Sequence, residues 1–304
     1  VATCRDKLRT FEAVRAAGLP APETRAVGDG AGLDAAILAV GGFPLVVKPA
    51  SAAGGRGVAV VERRADLDAA VDRARGHGAS GSGVLLQAYV GGRSVGVEAF
   101  FWEGEVAAAF VLDDQYLPPF VSPIGHSLPS GLDAATQARV VVDVARFAAA
   151  VGITHGPLNF DLRREDDRTV LIEINPRLGG SSITEMVRTA FGADLSTAAV
   201  TAALGRRPHA ALARTGAQAV ASRLIVARGR GRVTAQGDPA APWRDRPDVR
   251  ALRIGSPDGR PAPMAVDEWS LLGSCLVVGQ TREAAERLAA EVAAGVAAAI
   301  TVEP

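Results

Sequence analysis

A chain of 304 residues, 48% of them hydrophobic, exceeds one typical domain and can bury a sizeable core, so two or three lobes are expected. Thirty-three basic residues balance thirty-three acidic ones, which argues against nucleic acid or a membrane surface as a partner and leaves anion recognition to local motifs. Cys4 and Cys275 stand far apart without metal-ligand spacing, and no apolar run reaches the roughly 20 residues of a membrane span, so a reducing cytoplasm fits and a disulfide framework does not.

Residues 5–17 place Leu8, Phe11 and Val14 at helical spacing before the stop signals Gly18, Pro20 and Pro22. A helix is expected over 33–40, closed by Gly41 and Gly42, and Leu45, Val46 and Val47 then form a short strand with Lys48 at its end. The small, glycine-rich loop 50–57 leads to a strand over 58–61 and a helix over 66–75. Strands follow at 84–87, 95–101 and 106–112, the last two joined at Glu103 and Gly104 as a hairpin. Val140, Val144, Phe147 and Val151 share one face of a helix over 133–151, before strands at 157–163 and 169–174 and a helix over 195–204. Beyond a boundary at 206–216, strands at 217–226 and 275–278 and an alanine-rich helix over 281–299 make a C-terminal β-then-α block. Mixed strands and helices without a solenoid period give the α+β class.

The pair of strands at 157–163 and 169–174 carries the most information. With its turn centred on Asp167, Asp161 faces Glu173 and Asn159 faces Asn175. Period-2 alternation then lines Asn159, Asp161, Glu173, Asn175 and Arg177 on one side, and Leu158, Phe160, Leu162, Ile172 and Ile174 on the other. A one-residue shift of the turn would spoil the opposition but not the set Glu173, Asn175 and Arg177 on its own strand. Two carboxylates and an amide are hard oxygen ligands suited to Mg²⁺, which takes few protein ligands, and an adjacent arginine suits phosphate or carboxylate. Taken alone, the same residues equally fit a solvated edge hairpin.

With Lys7, Lys48, the glycine-rich loop and Glu173-Ile-Asn-Pro-Arg177 in this order, the sequence resembles the ATP-grasp superfamily over residues 4–205, and within it the carboxylate-amine ligase branch. The resemblance implies two α+β lobes gripping ATP: a lid lobe over 1–88, a metal-binding lobe over 89–210, and a C-terminal lobe over 211–304 similar to that of biotin carboxylases. It also implies an upstream Rossmann-like domain, expected before a chain that begins at Val1. By the same resemblance Lys7 and Lys48 contact nucleotide phosphates, and Gly54, Gly55 and Gly57 belong to a loop that closes over the triphosphate. Gln87, Tyr89 and Val90 hold adenine. Where many members carry an acidic ribose ligand this chain has Ser94, so Glu98 either substitutes or is structural.

The implied chemistry is attack of a carboxylate on the γ-phosphate of ATP, then capture of the acyl phosphate by an amine, without a covalent enzyme nucleophile. Asp161, Glu173 and Asn175 hold one or two Mg²⁺, which Mn²⁺ could replace, while Arg177 and Lys48 are the catalytic cations. Gly179, Gly180 and Ser181 offer backbone N–H groups and a hydroxyl to a substrate carboxylate. His126 stands in a loop over 122–129, either contacting substrate or holding the loop. The implied partners are small-molecule carboxylates and amines, amino acids among them, and a homodimer is an admissible assembly. Two other readings stay open, a carboxylase acting through carboxyphosphate and a nucleotide-binding module without catalysis.

Overall fold

The computed structural model describes residues 2–27, 32–52, 54–78, 83–118, 120–255, 258–266 and 269–303; Val1, and Ala53 of the glycine-rich loop, lie outside the described residues. The first expected helix starts two residues late, as α2 (Lys7–Ala16) with Asp6 as its cap, after a short α1 (Ala2–Arg5). The Asp6 carboxylate accepts from the N–H groups of Leu8 and Arg9, satisfying donors that a helix start leaves open. Lys7 is thereby the first residue of α2, and Phe11 and Val14 face inward. Then come β1 (Thr24–Val27), α3 (Leu33–Ala39), β2 (Leu45–Pro49), β3 (Ala59–Val61), α4 (Leu67–His77) and β4 (Val84–Ala88). β5 (Arg93–Trp102) turns into β6 (Glu105–Gln115) through Glu103 and Gly104, both left-handed at φ 55° and 85°, the conformation a tight hairpin requires.

Four residues, Gly125–Leu128, form β7, and α5 (Ala134–Ala150) starts at the cap Asp133. β8 (Gly156–Glu165) and β9 (Arg168–Asn175) precede α6 (Ile183–Phe191) and α7 (Leu195–Ala203). The C-terminal part runs β10 (Ala219–Arg228), β11 (Arg232–Ala235), α8 (Ala241–Arg244), β12 (Val249–Ile254), β13 (Asp258–Pro261), β14 (Met264–Val266), β15 (Trp269–Gly279), α9 (Arg282–Ala298) and β16 (Ile300–Glu303). Among the described residues no helix is long and apolar enough to cross a membrane.

Two compact units emerge, one from Val1–Ala109 and Asp133–Arg177, the other from Phe110–Leu132 and Leu178–Pro304. In the first unit, β1-β4-β2-β3 make an antiparallel sheet whose Leu45, Val47, Val84 and Leu86 pack with Leu67, Val71 and Ala74 of α4. The register puts Thr24 opposite Gln87 and Gln87 opposite Val46, so Thr24, Gln87 and Lys48 share the other face. β5, β8 and β9 pair antiparallel in the same unit.

The β8/β9 hairpin opposes Asp161 to Glu173 and Asn159 to Asn175, by a route the sequence does not reveal. Glu165 pairs with Arg168, so the turn is Asp166 and Asp167, half a residue from the expected centre, and a bulge between Asp161 and Leu162 takes up the difference. The alternation is corrected accordingly: Leu162 pairs with Leu171, which is buried, and Ile172 becomes the extra, half-buried residue.

The second unit carries the antiparallel order β6-β7-β10-β15-β12, with β14 added on β15 and a separate β13-β11-β16 sheet. α9 covers one face of its larger sheet, where Ala221, Ile225, Cys275 and Val277 meet Ala285, Ala289, Val292 and Val296. Alanine allows this helix its close approach. α6 packs against β7 and β10.

Candidate functional site

In the first unit the strand β2 delivers Lys48 to a nearly closed site, 6% exposed. Its Nζ donates to Gln87 Oε1 at 2.9 Å, Gln87 Nε2 donates to Thr24 Oγ1 at 2.9 Å, and the Phe11 ring of α2 lies under the ammonium, 4.6 Å from its centroid. Burial pulls the Lys48 pKa down to about 7; the charges of Glu173 and Asp161 work against that fall and Lys7 adds to it. Lys7 donates to the carbonyl of Ala52 at 2.9 Å and pairs with Glu173 Oε1 at 3.0 Å. One ammonium thus ties the glycine-rich loop to the carboxylate hairpin.

Glu98 is fully buried opposite Asn159, whose Nδ2 donates to Glu98 Oε2 at 3.3 Å. Among the described residues no group of three or more His, Cys, Asp or Glu side chains gathers to hold a metal. Asp161 and Glu173, opposed on adjacent strands with the amide of Asn175 one step along, fit Mg²⁺, which keeps water and phosphate oxygens for the rest of its octahedron.

Gly54, Gly55 and Gly57 lie in the left-handed region at φ 70°, 69° and 72°, which turns loop N–H groups off a regular strand. Beyond β4, Tyr89 is 44% exposed and Val90 half-buried, while the Gln87 side chain is engaged with Lys48 and Thr24. Arg177 is exposed just after β9, its backbone N–H donating to the carbonyl of Asn175 at 2.8 Å.

The remaining expected residues are in the second unit. His126 does not sit in a loop but on β7, opposite Asp114 of β6 and Ser222 of β10. A four-residue Gly-His-Ser-Leu strand flanked by prolines carries loop signals, and only its two neighbours make it a strand. His126 Nδ1 lies 2.9 Å from Asp114 Oδ1. Gly179, Gly180 and Ser181 precede α6, with Ser181 and Ser182 both left-handed at φ 51° and 66° and Ile183 N–H closing onto Gly180 O at 3.0 Å. Non-glycine residues in that region store strain, which tends to be kept where a loop binds something. Arg253 of β12 donates to Ser182 Oγ at 3.3 Å and to Glu185 at 2.6 Å. Asp114, Ser222 and Arg253 were missed by sequence reasoning; the one available signal was the polar pair Ser222 and Arg223 inside the otherwise apolar stretch 219–226.

Residues 41–185 match the ATP-grasp domain family. Carnosine synthase 1 of Gallus gallus is 35% identical over 179 residues, which cover 55% of this chain and 19% of that protein. A D-alanine–D-alanine ligase of Stutzerimonas stutzeri is 31% identical over 203 residues, 64% of this chain and 62% of the ligase. The chain thus spans less than two thirds of either relative. Among solved structures, an L-amino acid ligase from Bacillus licheniformis is similar at TM-score 0.79 and 20% identity, covering 99% of this chain and 72% of that one. A carboxyaminoimidazole ribonucleotide synthase of Aspergillus clavatus, complexed with ATP, reaches 0.77 at 18% identity, covering 98% and 74%.

Proposed function

We propose that this chain, whose residues 41–185 match the ATP-grasp domain family and whose fold is the ATP-grasp fold, is an ATP-dependent carboxylate-amine ligase, forming an amide bond through an acyl phosphate and releasing ADP and phosphate. The observation that carries this reading is Lys48, a buried cation beside Lys7, Asp161 and Glu173 whose hydrogen bond goes to a neutral amide. An anion completes such a site, and a triphosphate is one.

Lys48 and Lys7 draw charge off the phosphoryl group as the substrate carboxylate attacks it, and Arg177 opposes the charge on the transferring group. Gly54, Gly55 and Gly57 let loop N–H groups approach the phosphate oxygens. The backbone around Gln87, Tyr89 and Val90 takes adenine, while the Gln87 side chain fixes Lys48. Asp161, Glu173 and Asn175 would hold Mg²⁺ or Mn²⁺, which supplies positive charge to the triphosphate when bound. The burial of Glu98 supports a role behind Asn159 instead of at the ribose. In the second unit Gly179, Gly180 and Ser181 receive a substrate carboxylate, and His126 contacts substrate. Amino acids are the substrate class that the relatives' names support.

ADP release screened with pairs of amino acids tests the reading. Release that needs both a carboxylate and an amine is expected. Dependence on bicarbonate instead would make the chain a carboxylase, and no release with any pair would leave a nucleotide-binding module; either overturns the ligase.

A further inference from the structure

Asp114, His126 and Ser222 are directly opposed across β6, β7 and β10, so their side chains share one face of the second unit's sheet. The other face belongs to α9, where Arg282 donates to Asp113 at 2.7 Å and Ser127 donates to Glu286. On the shared face the Asp114 carboxylate is 1% exposed and lies against His126 Nδ1. In a neutral imidazole that contact places the proton on Nδ1 and leaves Nε2 as an acceptor. Beside His126, Ser222 is 3% exposed, and its hydroxyl has no hydrogen-bond partner among the described residues. A buried hydroxyl without a partner is uncommon in a native interior.

We propose that this row is the amine site of the ligase: His126 Nε2 accepts the proton of the incoming ammonium group, Ser222 Oγ provides a second hydrogen bond to the same nitrogen, and Asp114 is the positioning residue. The proposal rests on the ligase reading and names the part of it that handles the nucleophile. An amine substrate arrives at neutral pH as an ammonium ion and has no lone pair for attack. One proton passes from nitrogen to Nε2. The lone pair then forms the C–N bond at the acyl carbon, the C–O bond to phosphate breaks with its electron pair on the leaving oxygen, and the second proton leaves nitrogen for the departing phosphate. Asp114 keeps the tautomer that makes the first transfer available and holds the imidazolium that results.

Two nucleophiles separate this role from a structural one. Hydroxylamine is largely uncharged at neutral pH, so hydroxamate formation from a carboxylate and ATP reads acyl activation without needing a base. An amino acid used as the amine needs one. In His126→Gln, amide formation should fall by about 100-fold while hydroxamate formation stays within about threefold. Asp114→Asn should show the same split at about 10-fold, with Asp114→Glu restoring part of it, and Ser222→Ala should raise KM for the amine several-fold and leave KM for ATP unchanged. Amide and hydroxamate falling together in all three, or neither falling in His126→Gln at an unchanged melting temperature, would overturn the amine site and leave the ligase standing. No hydroxamate from the unsubstituted chain with any amino acid would overturn the ligase reading, and this site with it.

Discussion

Both units hold a buried polar cluster, and the two balance charge differently. In the first, Lys48 is closed in against a neutral amide and the ring of Phe11, and Lys7 is shared between Glu173 and a loop carbonyl. In the second, each acid has a local partner: Asp113 accepts from Ser130, Gly131 and Arg282, Asp114 meets His126, and Glu286 accepts from Ser127 and Arg282. A buried charge without a complementary charge is costly until a ligand supplies one. On the proposed reading the first cluster is completed by an anion, whereas in the second each of these acids fixes the direction of a neighbouring side chain, His126 among them.

The largest effect expected from breaking this contrast is at Glu173. Glu173→Gln removes one charge from the hairpin and keeps its shape, so turnover should fall by about 10³-fold. The melting temperature should barely move, because the Glu173–Lys7 pair is partly exposed and such pairs contribute at most about 1 kcal/mol. ADP release and thermal melting of one preparation measure both; activity within about threefold of the unsubstituted chain would take the hairpin out of the site.

Lys48 comes next, and here the direction of the pH effect is specific. Its pKa falls from the ordinary 10.5 to about 7 on folding, chiefly by burial. Above pH 7 the unfolded chain keeps this proton while the folded protein releases it. The penalty of the buried charge is thus full below pH 7, and stability from this group rises as pH climbs from 7 toward 10.5. Lys48→Met should abolish that rise in denaturant unfolding without nucleotide, and should weaken nucleotide binding by about 100-fold. Nucleotide binding near pH 8 should also take up a proton in the unsubstituted chain, visible by calorimetry in buffers of different ionisation enthalpy. Equal pH slopes in the two proteins would show that burial of this amine does not govern them.

The hairpin was legible because two carboxylates, two amides and an arginine alternate with large apolar residues over two adjacent strands. The bulge that sets its final register was not, since nothing in Asp161-Leu162 or Leu171-Ile172 distinguishes a bulged pair from a regular one. Lys7 and Lys48 were legible by their order along the chain. Asp114 and Ser222 were not, because they meet His126 only through pairing between strands up to about a hundred residues apart in sequence, which local patterning does not carry. The same holds for β12 and the first half of β15, whose apolar character is broken by Arg250, Arg253 and Gly273.

Arg282 sharpens the comparison from the other side. Arg282→Met takes the guanidinium partner from the buried Asp113 carboxylate, so it should cost about 1–3 kcal/mol in chemical denaturation. The ratio of amide to hydroxamate should not change, since Arg282 approaches the sheet from the α9 face. A change in that ratio with little loss of stability would mean that the two faces of the sheet are not separate in function.

The smallest expected effect distinguishes two glycines of the loop in the first unit. Gly54 and Gly57 have nearly the same backbone conformation, φ 70° and 72°, so alanine at either meets the same left-handed penalty of about 1 kcal/mol. Their surroundings differ. Among the described residues an added Cβ at Gly54 meets nothing within 4 Å, whereas at Gly57 it stands 3.0 Å from both Pro49 Cγ and His77 Cβ and 3.2 Å from the backbone of Ala74. Pro49 directly follows Lys48, and α4 packs against β2, so the clash at Gly57 presses on the strand that carries the buried lysine. Gly57→Ala should therefore lose about 1–2 kcal/mol more than Gly54→Ala and should also weaken nucleotide binding when both are kept folded at low temperature. Gly54→Ala should alter binding less, because its added methyl group meets none of the described residues within 4 Å. Equal losses of stability in the two variants would assign the whole cost to backbone conformation and none to the contact with Pro49 and α4.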